Sequence, residues 1–166
     1  MTRAPYVELH AHSAYSFLDG ASLPEELAAR AAELGYDTFA LTDHDGVYGS
    51  LEFANAAKHF GLRSITGAEV SLAGGAHVTL LCETQHGYGN LCRILTDAHA
   101  RTRVPGRERE LLPPETSIEM LEQHAEGWWH CPAVHARGSA SSTRKPRCGS
   151  RVRSRARSTW RFNGRI

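Results

Sequence analysis

Two histidines alternate in Tyr6-Val7-Glu8-Leu9-His10-Ala11-His12, His44 and Glu69 each follow a short apolar run, and Asp19 lies between them. In an extended segment, residues two apart share a face, so His10 and His12 present two imidazoles to one point. Adding His44, Glu69 and Asp19 mixes nitrogen with oxygen donors, a set that suits divalent zinc, manganese or iron. A cluster of two or three such ions can bind a phosphate ester, generate hydroxide and stabilise the leaving oxygen. Metal-assisted phosphoester hydrolysis is therefore the chemistry expected. A single histidine is more often a surface or core residue than a ligand. The reading rests on His-x-His, Thr-Asp-His-Asp and Gly-x-Glu occurring together.

Elements at suitable spacing surround these residues. The alternation over 6–12 predicts a strand, with Glu8, His10 and His12 on one face and Val7, Leu9 and Ala11 on the other. Ser22, Pro24 and Glu25 form a capping-box start, and Leu27, Ala28, Ala31, Ala32 and Leu34 recur on one face, which predicts a helix over 22–34 ended by Gly35. Thr38-Phe39-Ala40-Leu41-Thr42 reads as a strand and 49–60 as a helix ended by Gly61. Strands follow at Arg63-Ser64-Ile65-Thr66 and, after the Gly74-Gly75 turn, at 77–82. Helices are expected over about 87–100 and 115–124. Strands and helices alternating in this way imply an α/β fold with a mostly parallel sheet, whose chemistry collects at the carboxyl ends of strands. His12, His44 and Glu69 each fall at or beyond such an end.

With 166 residues and 41% hydrophobic composition, the chain can form one domain with a sizeable core. It has no apolar run of about 18 residues and no signal-peptide pattern, so a cytoplasmic protein without a membrane segment is expected. Cys82, Cys92, Cys131 and Cys148 show no CxxC pairing, which disfavours a zinc ribbon or a disulfide scaffold. Cys82 and Cys92 are expected to be buried, inert thiols. Charge divides the chain after Gly127. Residues 1–127 carry all 18 acidic residues against nine Lys and Arg, a net of −9, whereas 128–166 carry nine Arg and Lys145 with no acid, a net of +10.

The stretches Glu8-Leu9-His10-Ala11-His12-Ser13, Phe17-Leu18-Asp19-Gly20-Ala21, Leu41-Thr42-Asp43-His44-Asp45-Gly46 and Gly67-Ala68-Glu69 resemble the first motifs of the PHP (polymerase and histidinol phosphatase) domain that begins bacterial family C DNA polymerases of the polymerase III alpha type. Gly87-Tyr88-Gly89-Asn90-Leu91 resembles the Gly-Tyr-x-Asn-Leu helix found next in that family, and Phe17–Ala21 taken with Ala98-His99 is most similar to its error-prone branch. The resemblance covers residues 6–127. It implies the first strands and helices of a distorted seven-stranded βα barrel, with His10, His12, Asp19, His44 and Glu69 as metal ligands and Asp43 orienting His44. His99 stands where a further ligand could fall. His59, His77, His86 and His124 match no ligand of the family and read as surface or structural. Intact relatives replicate damaged DNA, so DNA and the remainder of a polymerase are the implied partners. The alternatives are a free-standing phosphoesterase of the histidinol-phosphatase type and a noncatalytic, metal-stabilised DNA-binding module.

After Gly127 the family would continue with a buried Leu-Val strand, whereas this chain reads Trp128-Trp129-His130-Cys131-Pro132. Trp has a single codon, so Gly127-Trp128-Trp129-His130 is encoded GGN-TGG-TGG-CAY, and with N as C a two-base shift reads CTG-GTG-GCA, or Leu-Val-Ala. A reading-frame shift near Gly127 is therefore expected, with 128–166 a disordered, Arg-rich tail and the closing strands and final ligands missing. The rival reading is a basic nucleic-acid arm in which Arg151, Arg153, Arg155 and Arg157 contact phosphates. Sequencing the gene across codon 127 and onward discriminates them. Polymerase motifs continuing in a shifted frame are expected, and their absence in all three frames would favour the arm.

Overall fold

The computed structural model describes residues 6–103 and 111–131, and all statements below concern them. Arg151, Arg153, Arg155 and Arg157 lie outside the described residues. The elements run α1 (Pro24–Glu33), β1 (Thr38–Leu41), α2 (Ser50–His59), β2 (Arg63–Leu72), β3 (Ala76–Cys82), α3 (Gln85–Ala100), α4 (Ile118–Gln123) and β4 (Trp128–Cys131). The four strands form one sheet in the order β1-β2-β3-β4.

Only the β1–β2 pair is parallel; β2–β3 and β3–β4 are antiparallel, so the sheet is mixed rather than mostly parallel. The reason lies in β2, which is longer than the stretch 63–66 expected from sequence. Its first half pairs with β1 through Thr66 and its second half pairs with β3 from Gly67 onward. The Gly74-Gly75 turn, with both residues at positive φ, then reverses the chain tightly. The segment 6–12 is not a regular strand. It lies beside β1 through a single parallel bridge, Glu8 to Phe39, with the Ala40 and Thr42 N–H groups donating to the Glu8 and Ala11 carbonyls.

Two apolar clusters support this sheet. Ala28 and Ala31 of α1 and Phe53 and Ala57 of α2 meet Phe39 and Leu41 of β1 in the first. Leu91, Ile94 and Leu95 of α3 meet Ala68, Val70 and Leu80 in the second. The start of α1 is displaced by one residue from the sequence expectation: Leu23 is the N-cap, and the Glu26 carboxylate, not that of Glu25, accepts from its N–H at 2.8 Å. The expected helix ends at 87 and 115 shift to Gln85 and Ile118, because Thr84 and Ser117 accept from Gly87 N–H and Met120 N–H as caps.

Of the tail expected over 128–166, the first four residues form a strand, β4 (Trp128–Cys131), and 132–166 lie outside the described residues. Thr79 to Cys82 of β3 pair with this strand, and Trp128 packs against the second apolar cluster. The Gly-Tyr-x-Asn-Leu stretch anchors its approach. A side chain at Gly87 would collide with the Gly127 carbonyl, which accepts from the Glu83 and Thr84 N–H groups, and the Asn90 amide donates to the Glu126 carbonyl at 3.0 Å. Only glycine fits at 87.

Burial pushes the Cys82 thiol up to about 12. A raised thiol value means that the reactive thiolate is scarce at neutral pH and grows about tenfold per pH unit until the value is reached. Iodoacetamide labelling of Cys82, mapped by peptide mass, should therefore be negligible at pH 8 and still rising above pH 10. A rate that levels near pH 9 would show an ordinary, accessible thiol.

Candidate metal centre

The centre is assembled from four backbone segments. The stretch 8–12 brings His10 and His12, the turn after β1 brings His44, β2 brings Glu69 and the loop 13–20 brings Asp19. Glu69 lies inside β2 and not at its end; it sits where the parallel half of that strand has just finished. A parallel bridge joins His44 to Glu69, with the Glu69 N–H donating to the Asp43 carbonyl and the Asp45 N–H donating to the Glu69 carbonyl. The Glu69 side chain is thereby fixed beneath the imidazoles, at 4% exposure.

One Glu69 oxygen lies 2.9 Å from His10 Nε2, 2.8 Å from His12 Nε2 and 3.6 Å from His44 Nε2. His44 Nε2 lies 3.0 Å from an Asp19 oxygen, and the His10 and His12 Nε2 atoms are 3.1 Å apart. Donors bound tetrahedrally to zinc at about 2.0–2.1 Å are roughly 3.3 Å from one another, so the convergent nitrogens and oxygen have the spacing of a ligand set. Three overlapping groups arise: His10, His12 and Glu69; His12, Asp19 and His44; and His44, Glu69 and His77. All five residues singled out as ligands from sequence are brought together.

The electrostatics follow from this crowding. Burial pushes the Glu69 carboxyl up, but hydrogen bonds from His10 and His12 and the charges of His10 and His44 outweigh it, so its value falls well below the ordinary carboxylate range. The hydrogen bond to Glu69 raises His10, against an opposing effect of burial. Burial dominates at His44 and lowers it. A neutral His44 beside an anionic Glu69 keeps both lone pairs available to a cation.

Asp43 does not orient His44 as expected. Its carboxylate, 1% exposed, accepts from the Ser13 N–H at 2.7 Å, the Ser13 hydroxyl at 2.9 Å and the Ser16 hydroxyl at 2.8 Å. Its effect on His44 is indirect, because Ser16 Oγ accepts from the His44 N–H at 3.0 Å. Asp43 is the anchor of the 13–20 loop and hence of Asp19. His99 stays apart from the cluster and places Nε2 2.7 Å from the Asp45 carbonyl oxygen. Glu8 is also diverted, since the Tyr6 hydroxyl and the Leu9 and His10 N–H groups all donate to its carboxylate. His77, read as structural from sequence, joins the cluster: its ring centroid is 5.5 Å from that of His44, and Nδ1 is 3.3 Å from Ser71 Oγ, which donates to Asp45 at 2.8 Å. Its sequence signal was weak because His77 opens a strand and belongs to no local motif.

The profile of one protein family, the PHP domain, matches residues 8–149. The chain belongs to the PHP domain family. The match runs past Gly127, where the sequence resemblance was expected to stop. Among curated relatives, the PHP chain is 43% identical over 150 residues to the error-prone DNA polymerase of Mycobacterium tuberculosis strain H37Rv, covering 82% of this chain and 13% of that protein. It is 49% identical over 133 residues to the error-prone DNA polymerase of Symbiobacterium thermophilum, covering 74% of this chain and 12% of the relative. The chain thus spans about an eighth of the length of these polymerases. Two solved structures are similar: a protein from Bifidobacterium adolescentis assigned as a metal-dependent phosphoesterase (TM-score 0.49, 23% identity, 60% of this chain and 35% of that one) and an amidohydrolase from Chromobacterium violaceum with bound sulfate (TM-score 0.49, 35% identity, 57% and 33%). At those TM-scores the family assignment rests on the sequence matches. No helix among the described residues of the PHP chain is long and apolar enough to cross a membrane.

Truncating Asp43 would leave the Ser13 and Ser16 donors unsatisfied in the interior and release the loop that carries Asp19. Asp43→Ala should lower stability by about 3 kcal/mol, read from urea unfolding at matched slope. A loss below about 1 kcal/mol would mean that the loop is held by other contacts.

Proposed function

We propose that this PHP domain holds two or more divalent cations at His10, His12, Asp19, His44, Glu69 and His77 and hydrolyses phosphoester bonds. The observation that carries the reading is the convergence of three imidazoles on one Glu69 oxygen, with Asp19 within 3.0 Å of the third. Bound divalent cations supply charge neutralisation of a phosphate and a hydroxide nucleophile near neutral pH. The protein's own part is to keep its donors close and correctly protonated. Glu69 stays anionic, Ser71 and Asp45 steady His77, and Asp43 fixes the loop bearing Asp19.

Identity of more than 40% to error-prone DNA polymerases supports a second part of the reading. In it, the chain corresponds to the PHP portion of such a polymerase, with DNA and the remaining polymerase as partners and replication of damaged templates as the activity of the whole. DNA synthesis then belongs to residues outside this portion, while phosphoester hydrolysis or metal-dependent folding belongs to it.

Manganese or zinc at about a hundred times its dissociation constant should stabilise the chain by about 2.7 kcal/mol in thermal or urea unfolding. Glu69→Gln should remove most of that gain. Hydrolysis of bis(p-nitrophenyl) phosphate should require the metal and disappear with a chelator. Stabilisation without hydrolysis would make the centre structural, and the absence of both would refute a metal centre here.

A further inference from the structure

Asp45 follows His44 in sequence, yet its side chain turns away to β2. Its backbone is gripped from two sides: the N–H donates to the Glu69 carbonyl at 2.8 Å, and the carbonyl oxygen accepts from His99 Nε2 at 2.7 Å. Between these bonds Asp45 takes φ 47°, a left-handed conformation that is uncommon outside glycine. Strain held in place beside a cluster of ionisable groups points to a task for the residue that bears it. Both carboxylate oxygens meet Ser71. Oδ1 accepts from the Ser71 N–H and Oδ2 from the Ser71 hydroxyl, each at 2.8 Å.

Ser71 passes this contact on to β3. Its N–H goes to Asp45 and its carbonyl accepts from the Thr116 N–H, so it stands opposite His77 as a non-hydrogen-bonded pair, the arrangement that brings cross-strand side chains closest. Ser71 Oγ lies 3.3 Å from His77 Nδ1. A hydroxyl has one hydrogen, and Asp45 takes it, so the oxygen can only accept from a His77 Nδ1–H. A neutral imidazole protonated at Nδ1 keeps its lone pair at Nε2. We propose that Asp45 is a positioning residue acting through Ser71: the relay from Asp45 to Ser71 to His77 fixes the Nδ1–H tautomer of His77 and leaves Nε2 free for a cation shared with His44 and Glu69. The relay does more than steady the ring, because it dictates which nitrogen bears the proton. Only the cation's part in it rests on the metal reading above.

The discriminating variant is Asp45→Asn. Its amide matches the carboxylate in size, tolerates the left-handed backbone, and offers an oxygen to the Ser71 N–H as before. The amide nitrogen then falls at the second position and donates to Ser71 Oγ, whose hydrogen turns to His77 Nδ1 and leaves the imidazole proton on Nε2. Long-range proton–nitrogen correlation spectra of the metal-free, histidine-labelled chain at about pH 8.5, where an unperturbed imidazole is neutral, read this directly. His77→Gln assigns the signals. The wild type and Ser71→Thr should show Nδ1–H and Asp45→Asn should show Nε2–H. Ser71→Ala, which removes the relay without reversing it, should release the preference, and it carries the test if Asp45→Asn fails to fold. Zinc affinity, measured by calorimetry, should fall about tenfold or more in Asp45→Asn, with the thermal midpoint of the metal-free chain unchanged. A wild-type His77 protonated at Nε2, or one tautomer shared by the wild type, Asp45→Asn and Ser71→Ala, overturns the relay. A reversed tautomer with unchanged zinc affinity overturns its role at the cluster and leaves the metal reading intact. Failure of zinc to bind the wild-type chain overturns the metal reading itself, and with it the role assigned to the relay.

Discussion

A carboxylate with almost no access to water must be met by donors, and Asp43 meets this constraint by drawing three of them from one loop. Ser13 gives its N–H and hydroxyl and Ser16 its hydroxyl, so the chain between residues 13 and 20 is folded around an oxygen that belongs to the turn after β1. The rest of the centre depends on that arrangement. Asp19 reaches His44 because the loop is closed, and the His44 backbone is tied to the same loop through Ser16. His10 and His12 precede it on a segment that lacks a regular ladder and borrows its position from β1. A single buried charge thus converts a weakly paired stretch into a rigid support for ligands from three directions.

Much of the centre was legible in the sequence because most of its side chains stand in short, local patterns. His-x-His, the Asp-His pair after an apolar run and Gly-x-Glu each need only one strand or turn to be read, and the structure unites them. What was missed was non-local. His77 reaches the centre because β2 changes partner at Gly67 and turns back through Gly74-Gly75, an antiparallel step that alternating strand and helix patterns do not announce. Asp43 was read from its neighbour in sequence, as an orienter of His44, whereas its partners are some thirty residues away. His99 and Glu8 were in plausible positions but are engaged by the Asp45 carbonyl and by Tyr6.

The expected collapse of order at Gly127 was an inference from composition, and backbone pairing overrode it at its first residues. An edge strand requires extended geometry and a partner more than it requires particular side chains. Trp128 supplies apolar surface to the cluster under α3, and the Gly87–Gly127 contact with Asn90 delivers the chain to the β3 edge at the correct height. The Gly-Tyr-x-Asn-Leu helix is therefore a docking device for the chain segment that follows α4.

The six clustered side chains all lie between His10 and His77, ahead of α3 and β4. During synthesis on the ribosome, where the amino-terminal part emerges first, all six of these side chains leave before β4 does. A cation held by them would join the 8–12 segment, the turn after β1, β2 and β3 before β4 has paired. The order of these residues along the chain would let such a centre act at the start of folding as well as at its end.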